Sequence, residues 1–187
     1  MIDVNLKYKT MVNSKYSLPK DGGLINGSAP YDILHRFEKI NTQIYENEAK
    51  AVRYVADEII ESIKTYERKN KGKLFSLGLT TGRTPVGLYR ELVRQYDEGK
   101  ISFANVEVYS LDEFYPIRVT EEQSRNYRIH EEFLNHIDIK QENIHIPDGT
   151  IPMDKISAYC ESYEKSVNVD LMIMGVGIQG QIGFNEA

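Results

Sequence analysis

The chain has 187 residues, 41% hydrophobic and 27% charged, a balance that fits one globular domain and is too apolar for a disordered chain. Its net charge of −5, from 23 basic and 28 acidic side chains, argues against a nucleic-acid partner, which needs a basic face, but leaves room for a local anion pocket. The single cysteine, Cys160, excludes an intrachain disulfide framework and a four-cysteine zinc site, and it fits a reducing, cytoplasmic setting. No apolar run approaches the ~18 residues of a membrane span, and the N-terminus lacks a signal-peptide core, so no membrane partner is expected.

Residues 1–30 show no clear period, and the N-terminal extension is taken as 1–36. Asp21-Gly22-Gly23 and Asn26-Gly27-Ser28 carry loop chemistry, so this stretch is expected to be an N-terminal extension of a domain spanning 37–187. From about Asn41 to Lys69, Ile44, Val52, Val55, Ile59, Ile63 and Tyr66 recur at mostly three- and four-residue steps, which predicts an amphipathic helix with Glu46–Lys50 as an outer ion pair. Leu74–Leu79 reads as a short apolar strand. Thr80–Pro85 then turns into a second helix carrying Leu88, Tyr89, Leu92 and Val93 on one side, with Thr84 suited to the N-cap and Pro85 to the first helical position. A strand over Val106–Leu111 stops at Asp112-Glu113. A polar stretch leads to a helix over about Ser124–His136, then a short strand at Ile144–Ile146. A further helix over 153–167 has Ile156, Tyr159, Cys160 and Tyr163 as its expected buried face, and Leu171–Met174 reads as a buried strand. Strands alternating with helices predict an α/β fold with a mostly parallel sheet flanked by helices.

Three polar loops follow strand carboxyl ends, where such sheets bind ligands. In Thr80-Thr81-Gly82-Arg83-Thr84-Pro85 the glycine permits close backbone approach. The following helix N-terminus offers free N–H groups, Arg83 a cation, and Thr81 and Thr84 hydroxyls, which together suit a phosphate. The structural alternative is a capped turn with a solvated Arg83, and spacing alone leaves the two open. Asp112-Glu113 places paired carboxylates for general-base work or ligand holding, against the alternative of an acidic cap. Gly175, Gly177 and Gly180 match a dinucleotide-binding glycine pattern. The loop lies too late in the domain for that role, and the chain ends before a ribose-binding acid. The four histidines, His35, His130, His136 and His145, show no metal spacing. Cys160 on a helical stripe reads as packing, and the 13 scattered tyrosines form no stacking platform.

At these loops the sequence resembles the glucosamine-6-phosphate deaminase/isomerase family, within the superfamily that also holds 6-phosphogluconolactonase. Leu77–Tyr89 resembles its phosphate loop and following helix, and Ser110-Leu111-Asp112-Glu113-Phe114 its base motif. Val176-Gly177 through Gly183-Phe184-Asn185-Glu186 resembles its third active-site segment, and Asn143–Gly149 fits a segment between them. The likeness runs from about residue 37 to the last residue. The lactonase branch is less similar: it usually has arginine where Phe114 stands, and its last motif continues differently after the glycine. Two departures stand out. The family's Asp-Gly-His is Gln179-Gly180-Gln181 here, and glutamine cannot exchange a proton near neutral pH. A subset of deaminase-like sequences nevertheless carries Gly-Gln-Ile-Gly-Phe-Asn-Glu. Family members also continue well past Glu186, so the resemblance implies a Rossmann-like fold truncated at its C-terminal end.

The resemblance implies an aldose–ketose isomerisation that takes an amino-sugar phosphate to fructose 6-phosphate and ammonia. Asp112 would be the general base at the sugar C2. Thr80, Thr81, Gly82, Arg83 and Thr84 would bind the phosphate, with Glu113 beside them at the substrate. Gln179, Gln181 and Glu186 would line the ring-opening side. No cofactor and no metal are implied. The expected partner is a small-molecule sugar phosphate, with a homo-oligomer left open. The alternatives are a lactonase-like hydrolase and a non-catalytic sugar-phosphate-binding remnant.

Overall fold

The structure is a computed structural model that describes residues 43–183, together with the backbone of Leu24–Ile25 and Ala29–Pro30. The expectations for Asp21–Gly23, Asn26–Ser28, His35 and Phe184–Glu186 lie outside the described residues. The chain divides into two compact units, Met1–Glu46 and Asn47–Ala187. In the first, β1 (Leu24–Ile25) and β2 (Ala29–Pro30) pair antiparallel, Leu24 opposite Pro30 and Ile25 opposite Ala29. Ile44 is 85% exposed.

The second unit opens with helix α1 (Glu48–Lys69). The expected start near Asn41 is too early: Asn47 is extended, and its side chain accepts from the Lys50 N–H at 3.0 Å, which caps the helix there. Ile44 and Glu46 therefore fall outside it. Ala56, Ile59, Ile60 and Ile63 form its buried stripe, each isoleucine contributing on the order of 1.5–3 kcal/mol of transfer free energy. Strand β3 (Phe75–Leu79) follows, buried at all five positions as a central parallel strand must be.

Helix α2 (Arg83–Asp97) starts one residue before the expected cap. Gly82, not Thr84, is the N-cap: its φ of +119° lets the chain turn straight out of β3, and no side-chain cap bond forms. Pro85 thus becomes the third helical residue, where a missing N–H is still harmless.

Strand β4 (Val106–Ser110) lies parallel to β3, with Leu77 opposite Val108 and Gly78 opposite Tyr109. The helix expected over 124–136 is shorter. α3 (Arg125–Glu132) ends at Phe133, and a single 3-10 turn covers Leu134–His136. Phe133 leaves helical geometry so that its fully buried ring can stack on Tyr89, centroids 5.1 Å apart, and meet Phe103 edge-on at 5.4 Å. β5 (Ile144–His145), α4 (Ile156–Ser166) and β6 (Leu171–Met172) complete the unit.

The sheet order is β5-β4-β3-β6, every pairing parallel. Alternate residues Phe75, Leu77, Leu79, Val106 and Val108 face a core shared with α1, α2 and α3. Two expectations of burial fail. Ile156, Tyr159, Cys160 and Tyr163 do face inward on α4 but are only half-buried, as are Leu171 and Met172, and Met174 is exposed. β6 is an edge strand among the described residues and has a neighbour on one side only. Among the described residues no helix is long and apolar enough to cross a membrane.

Candidate active site

The strand order runs outward from β3 through β4 to β5 and then returns to place β6 on the other side of β3. The reversal point between β3 and β6 is where an open parallel sheet leaves a crevice at its carboxyl edge. A cleft of about 680 Å³ lies there, lined by Thr80, Arg83 and Thr84 on one side, Ile173–Gly175 on another, and Val52 and Val55 of α1.

The first loop is held from its own helix. The Tyr89 hydroxyl, fully buried, donates to the Thr80 carbonyl at 2.6 Å and accepts from the Thr80 N–H at 3.3 Å. This fixes the loop's first residue, while Gly82 turns the chain so that the opening N–H groups of α2 are left without a side-chain cap. Such a terminus carries partial positive charge and free donors. Arg83 and Thr84 beside it are exposed.

Asp112 and Glu113, adjacent in sequence, are used differently. Both Glu113 oxygens are engaged by the start of α3: Oε1 accepts from the Arg125 N–H at 2.8 Å and from its own neighbour Phe114 N–H at 2.8 Å. Oε2 accepts from the Ser124 hydroxyl at 2.8 Å and the Asn126 N–H at 3.0 Å. Glu113 is therefore a helix-capping anchor. Asp112 instead faces the Arg125 side chain, Nε to Oδ1 3.3 Å, and is about three-quarters covered. Burial pushes its carboxyl above the usual range; the Arg125 guanidinium opposes this, and Glu113 adds to it.

Arg125 joins the first two loops. Besides Asp112 it donates from Nη1 to the Thr81 hydroxyl, and its Cζ lies 4.5 Å from the centroid of the Phe114 ring. Asp112 does not line the 680 Å³ cleft; it is linked to the loop that borders the cleft through this side chain. Gly149 supports the same region, since a Cβ there would lie 2.7 Å from the carbonyl oxygens of both Phe114 and Ile117. The Tyr163 hydroxyl reaches the carbonyls of Ser110 at 2.9 Å and His145 at 3.0 Å, tying α4 to the strand ends below Asp112.

The third loop is a β-hairpin. Gly177 N–H donates to the Gln181 carbonyl at 2.8 Å, Val176 and Ile182 form an antiparallel bridge, and Gly180 at φ +84° completes the three-residue turn. Gln181 folds back into this turn: its Oε1 accepts from the Gln179 N–H at 3.0 Å, and its carboxamide occupies the space a Cβ on Gly177 would need. The hairpin meets the other loops at its ends, Gly175 beside Thr84 and Gly183 beside Leu111. The structure thus brings Thr80, Thr81, Gly82, Thr84 and Asp112 to one edge of the sheet, and Glu186 lies outside the described residues. Among the described residues no group of three or more His, Cys, Asp and Glu side chains is arranged to hold a metal.

Sequence reasoning missed Arg125, Tyr89 and Tyr163 as site residues. Tyr89 and Tyr163 sat on apolar helix faces, where packing explains a tyrosine. Arg125 had only the Ser124 cap before it as a signal, and nothing linked it to Glu113 twelve residues upstream.

The sequence profile of the family described as Glucosamine-6-phosphate isomerases/6-phosphogluconolactonase matches residues 46–182. A glucosamine-6-phosphate deaminase-like protein of Bacteroides thetaiotaomicron is 38% identical over 158 residues, 82% of this chain and 24% of that protein. A glucosamine-6-phosphate deaminase of Thermoanaerobacter sp. is 45% identical over 112 residues, 59% of this chain and 44% of that one. The solved structure of a monomeric glucosamine-6-phosphate deaminase superposes with a TM-score of 0.70 at 30% identity, covering 78% of this chain and 58% of its own. A 6-phosphogluconolactonase of Thermotoga maritima gives 0.53 at 28% identity, covering 69% and 59%. The chain thus spans 24% and 44% of the two curated relatives. With its parallel α/β sheet and three strand-end loops, the chain belongs to the glucosamine-6-phosphate isomerase/6-phosphogluconolactonase family.

Proposed function

We propose that this chain carries a glucosamine-6-phosphate deaminase-type site, which isomerises an amino-sugar phosphate and releases ammonia. The observation that carries the reading is the link from Thr81 through Arg125 to Asp112. It puts the loop that leads into the α2 N-terminus and a largely covered carboxylate within the reach of one guanidinium.

In this reading the phosphate takes the uncapped N–H groups of α2, the Thr81 and Thr84 hydroxyls and Arg83. Asp112 removes the C2 proton of the open-chain sugar and returns it to C1. Water adds at C2, and the C2 amine leaves as ammonia, giving fructose 6-phosphate. A carboxylate held above its ordinary proton affinity is a better base for this transfer, provided it stays ionised at the working pH. Gln181, spent on its own hairpin, acts by shaping the loop beside the sugar, and proton traffic at the ring oxygen falls to water or to a group outside the described residues. Glu113 serves by anchoring α3.

The deaminase reading is favoured over lactone hydrolysis by the higher TM-score and identity of the deaminase structure and by Phe114 after Asp112-Glu113. Solvent deuterium exchange at C2 of glucosamine 6-phosphate, followed by NMR, tests it. Exchange is expected with the native chain and a loss of ~100- to 10,000-fold with Asp112→Asn. Hydrolysis of 6-phosphogluconolactone without C2 exchange would establish the lactonase reading instead. Saturable sugar-phosphate binding with neither reaction would establish a non-catalytic binder.

A further inference from the structure

Arg125 touches both of the first two loops. Its main-chain N–H is bound by Glu113, the neighbour of Asp112. Its Nε faces Asp112, its Nη1 donates to Thr81, and the Phe114 ring backs the guanidinium plane, with the side chain 17% exposed. The bond to Thr81 has a chemical consequence. A threonine hydroxyl has one proton and two acceptor positions. Accepting from Nη1 fills one acceptor position and leaves the Oγ1 proton to be donated to a further acceptor beside the α2 N-terminus. An anion arriving there meets a hydroxyl already oriented as a donor, and it also competes with Asp112 for the guanidinium, because a doubly charged oxyanion attracts arginine more strongly than a single carboxylate at the same distance.

We propose that Arg125 is a positioning residue that couples anion capture at the Thr80–Thr84 loop to the proton affinity of Asp112. With the loop empty, the guanidinium pairs with Asp112. When an oxyanion binds at Thr81, the guanidinium is drawn toward it, and Asp112 becomes a stronger base as the phosphate group is seated. Among the described residues the charged groups facing Asp112 are Arg125 from α3 and Glu113 beside it in the chain, and Glu113 is held by its four hydrogen bonds, so of these two Arg125 is the partner able to change. This inference rests on the proposed function for the location of the anion, but it concerns Arg125 and does not depend on turnover.

The test uses the full chain and inorganic sulfate, whose charge stays fixed across the titration. The Asp112 carboxyl is followed by carbon NMR and assigned by its loss in Asp112→Asn. In the native chain, sulfate is expected to move the Asp112 midpoint upward. By reciprocity, sulfate must then bind more tightly as pH falls through that midpoint. Arg125→Met is expected to raise the midpoint without sulfate, to suppress the further rise on adding it, and to weaken sulfate ~3- to 10-fold, the effect of losing about one hydrogen bond. Arg125→Lys, which keeps the charge but not the fork, is expected to fall between, and it decides the matter if the methionine variant does not fold. An equal sulfate-induced rise in the native chain and the variants would reveal direct repulsion between sulfate and Asp112 and overturn the coupling. An unchanged midpoint in both variants would overturn it as well. If sulfate perturbs no amide of Thr81 or Gly82, the anion site and the coupling both fall, while a midpoint raised by Arg125→Met would still stand as the Arg125–Asp112 pairing.

Discussion

The hydroxyl of Tyr89, on the second turn of α2, donates to the carbonyl oxygen of Thr80 at 2.6 Å, so the helix that follows the first loop also holds that loop's beginning in place. Its ring stacks on Phe133, which joins this contact to the core. Burial pushes the phenol's proton affinity upward, so it remains a donor through the physiological range. Tyr89→Phe keeps the stacking and removes only the hydroxyl. The stranded Thr80 groups should lower unfolding stability by about 1–3 kcal/mol in urea titration. Sulfate affinity should fall with it, since the loop loses its tether. An unchanged urea midpoint would show that water replaces the hydroxyl.

Glu113 separates an anchoring role from a ligand role. Its carboxylate closes the N-terminus of α3 with charge-assisted bonds to two backbone N–H groups and the Ser124 hydroxyl. Glu113→Gln retains one acceptor but loses the charge and sets an NH2 group against those donors. Stability should drop by about 1–2 kcal/mol, typical of a lost cap. Sulfate affinity should change much less than in Arg125→Met. A variant of native stability whose sugar-phosphate affinity is lost would instead make Glu113 a substrate ligand.

Asp112 should oppose stability at neutral pH. Burial raises its folded-state proton affinity, only partly offset by Arg125, so the folded chain holds that proton more tightly than the unfolded chain does. Its stabilising contribution is therefore complete below the unfolded carboxyl range near pH ~4 and is lost as pH rises through the folded midpoint. Asp112→Asn, which mimics the neutral form, should then raise the melting temperature at pH 7. The gain should shrink toward zero as pH falls through the Asp112 midpoint into the range of an ordinary carboxyl. A variant less stable at pH 7 would mean that the ion pair with Arg125 outweighs the burial.

The order of elements was legible because it depends on local chemistry. The isoleucines of α1 repeat at helical spacing, β3 and β4 are apolar runs flanked by turn residues, and Gly82 and Gly180 stand where positive φ is needed. The loops that carry Thr81, Asp112 and the glycine hairpin could also be read, because each follows a strand and a parallel sheet sends its carboxyl ends to one edge. Element limits were less legible. Thr84 has good capping chemistry, yet Gly82 won because the turn out of β3 requires a residue that tolerates φ of +119°. Phe133 fits a helix by composition, but the aromatic stack with Tyr89 takes it out of one.

What the sequence by itself determined is the parallel α/β order and the residues that stand at the strand ends, since both follow from neighbours within a few positions. Only the tertiary structure decided how those residues divide the work. Asp112 and Glu113 are chemically similar and adjacent, and no local rule separates them. Their difference comes from α3, whose first residues fold back across eleven to thirteen positions, take both Glu113 oxygens as a cap, and bring the Arg125 side chain over Asp112 and Thr81. That contact depends on the helix docking against the sheet, so the joining of Asp112 to the Thr80–Thr84 loop is a property of packing rather than of spacing along the chain.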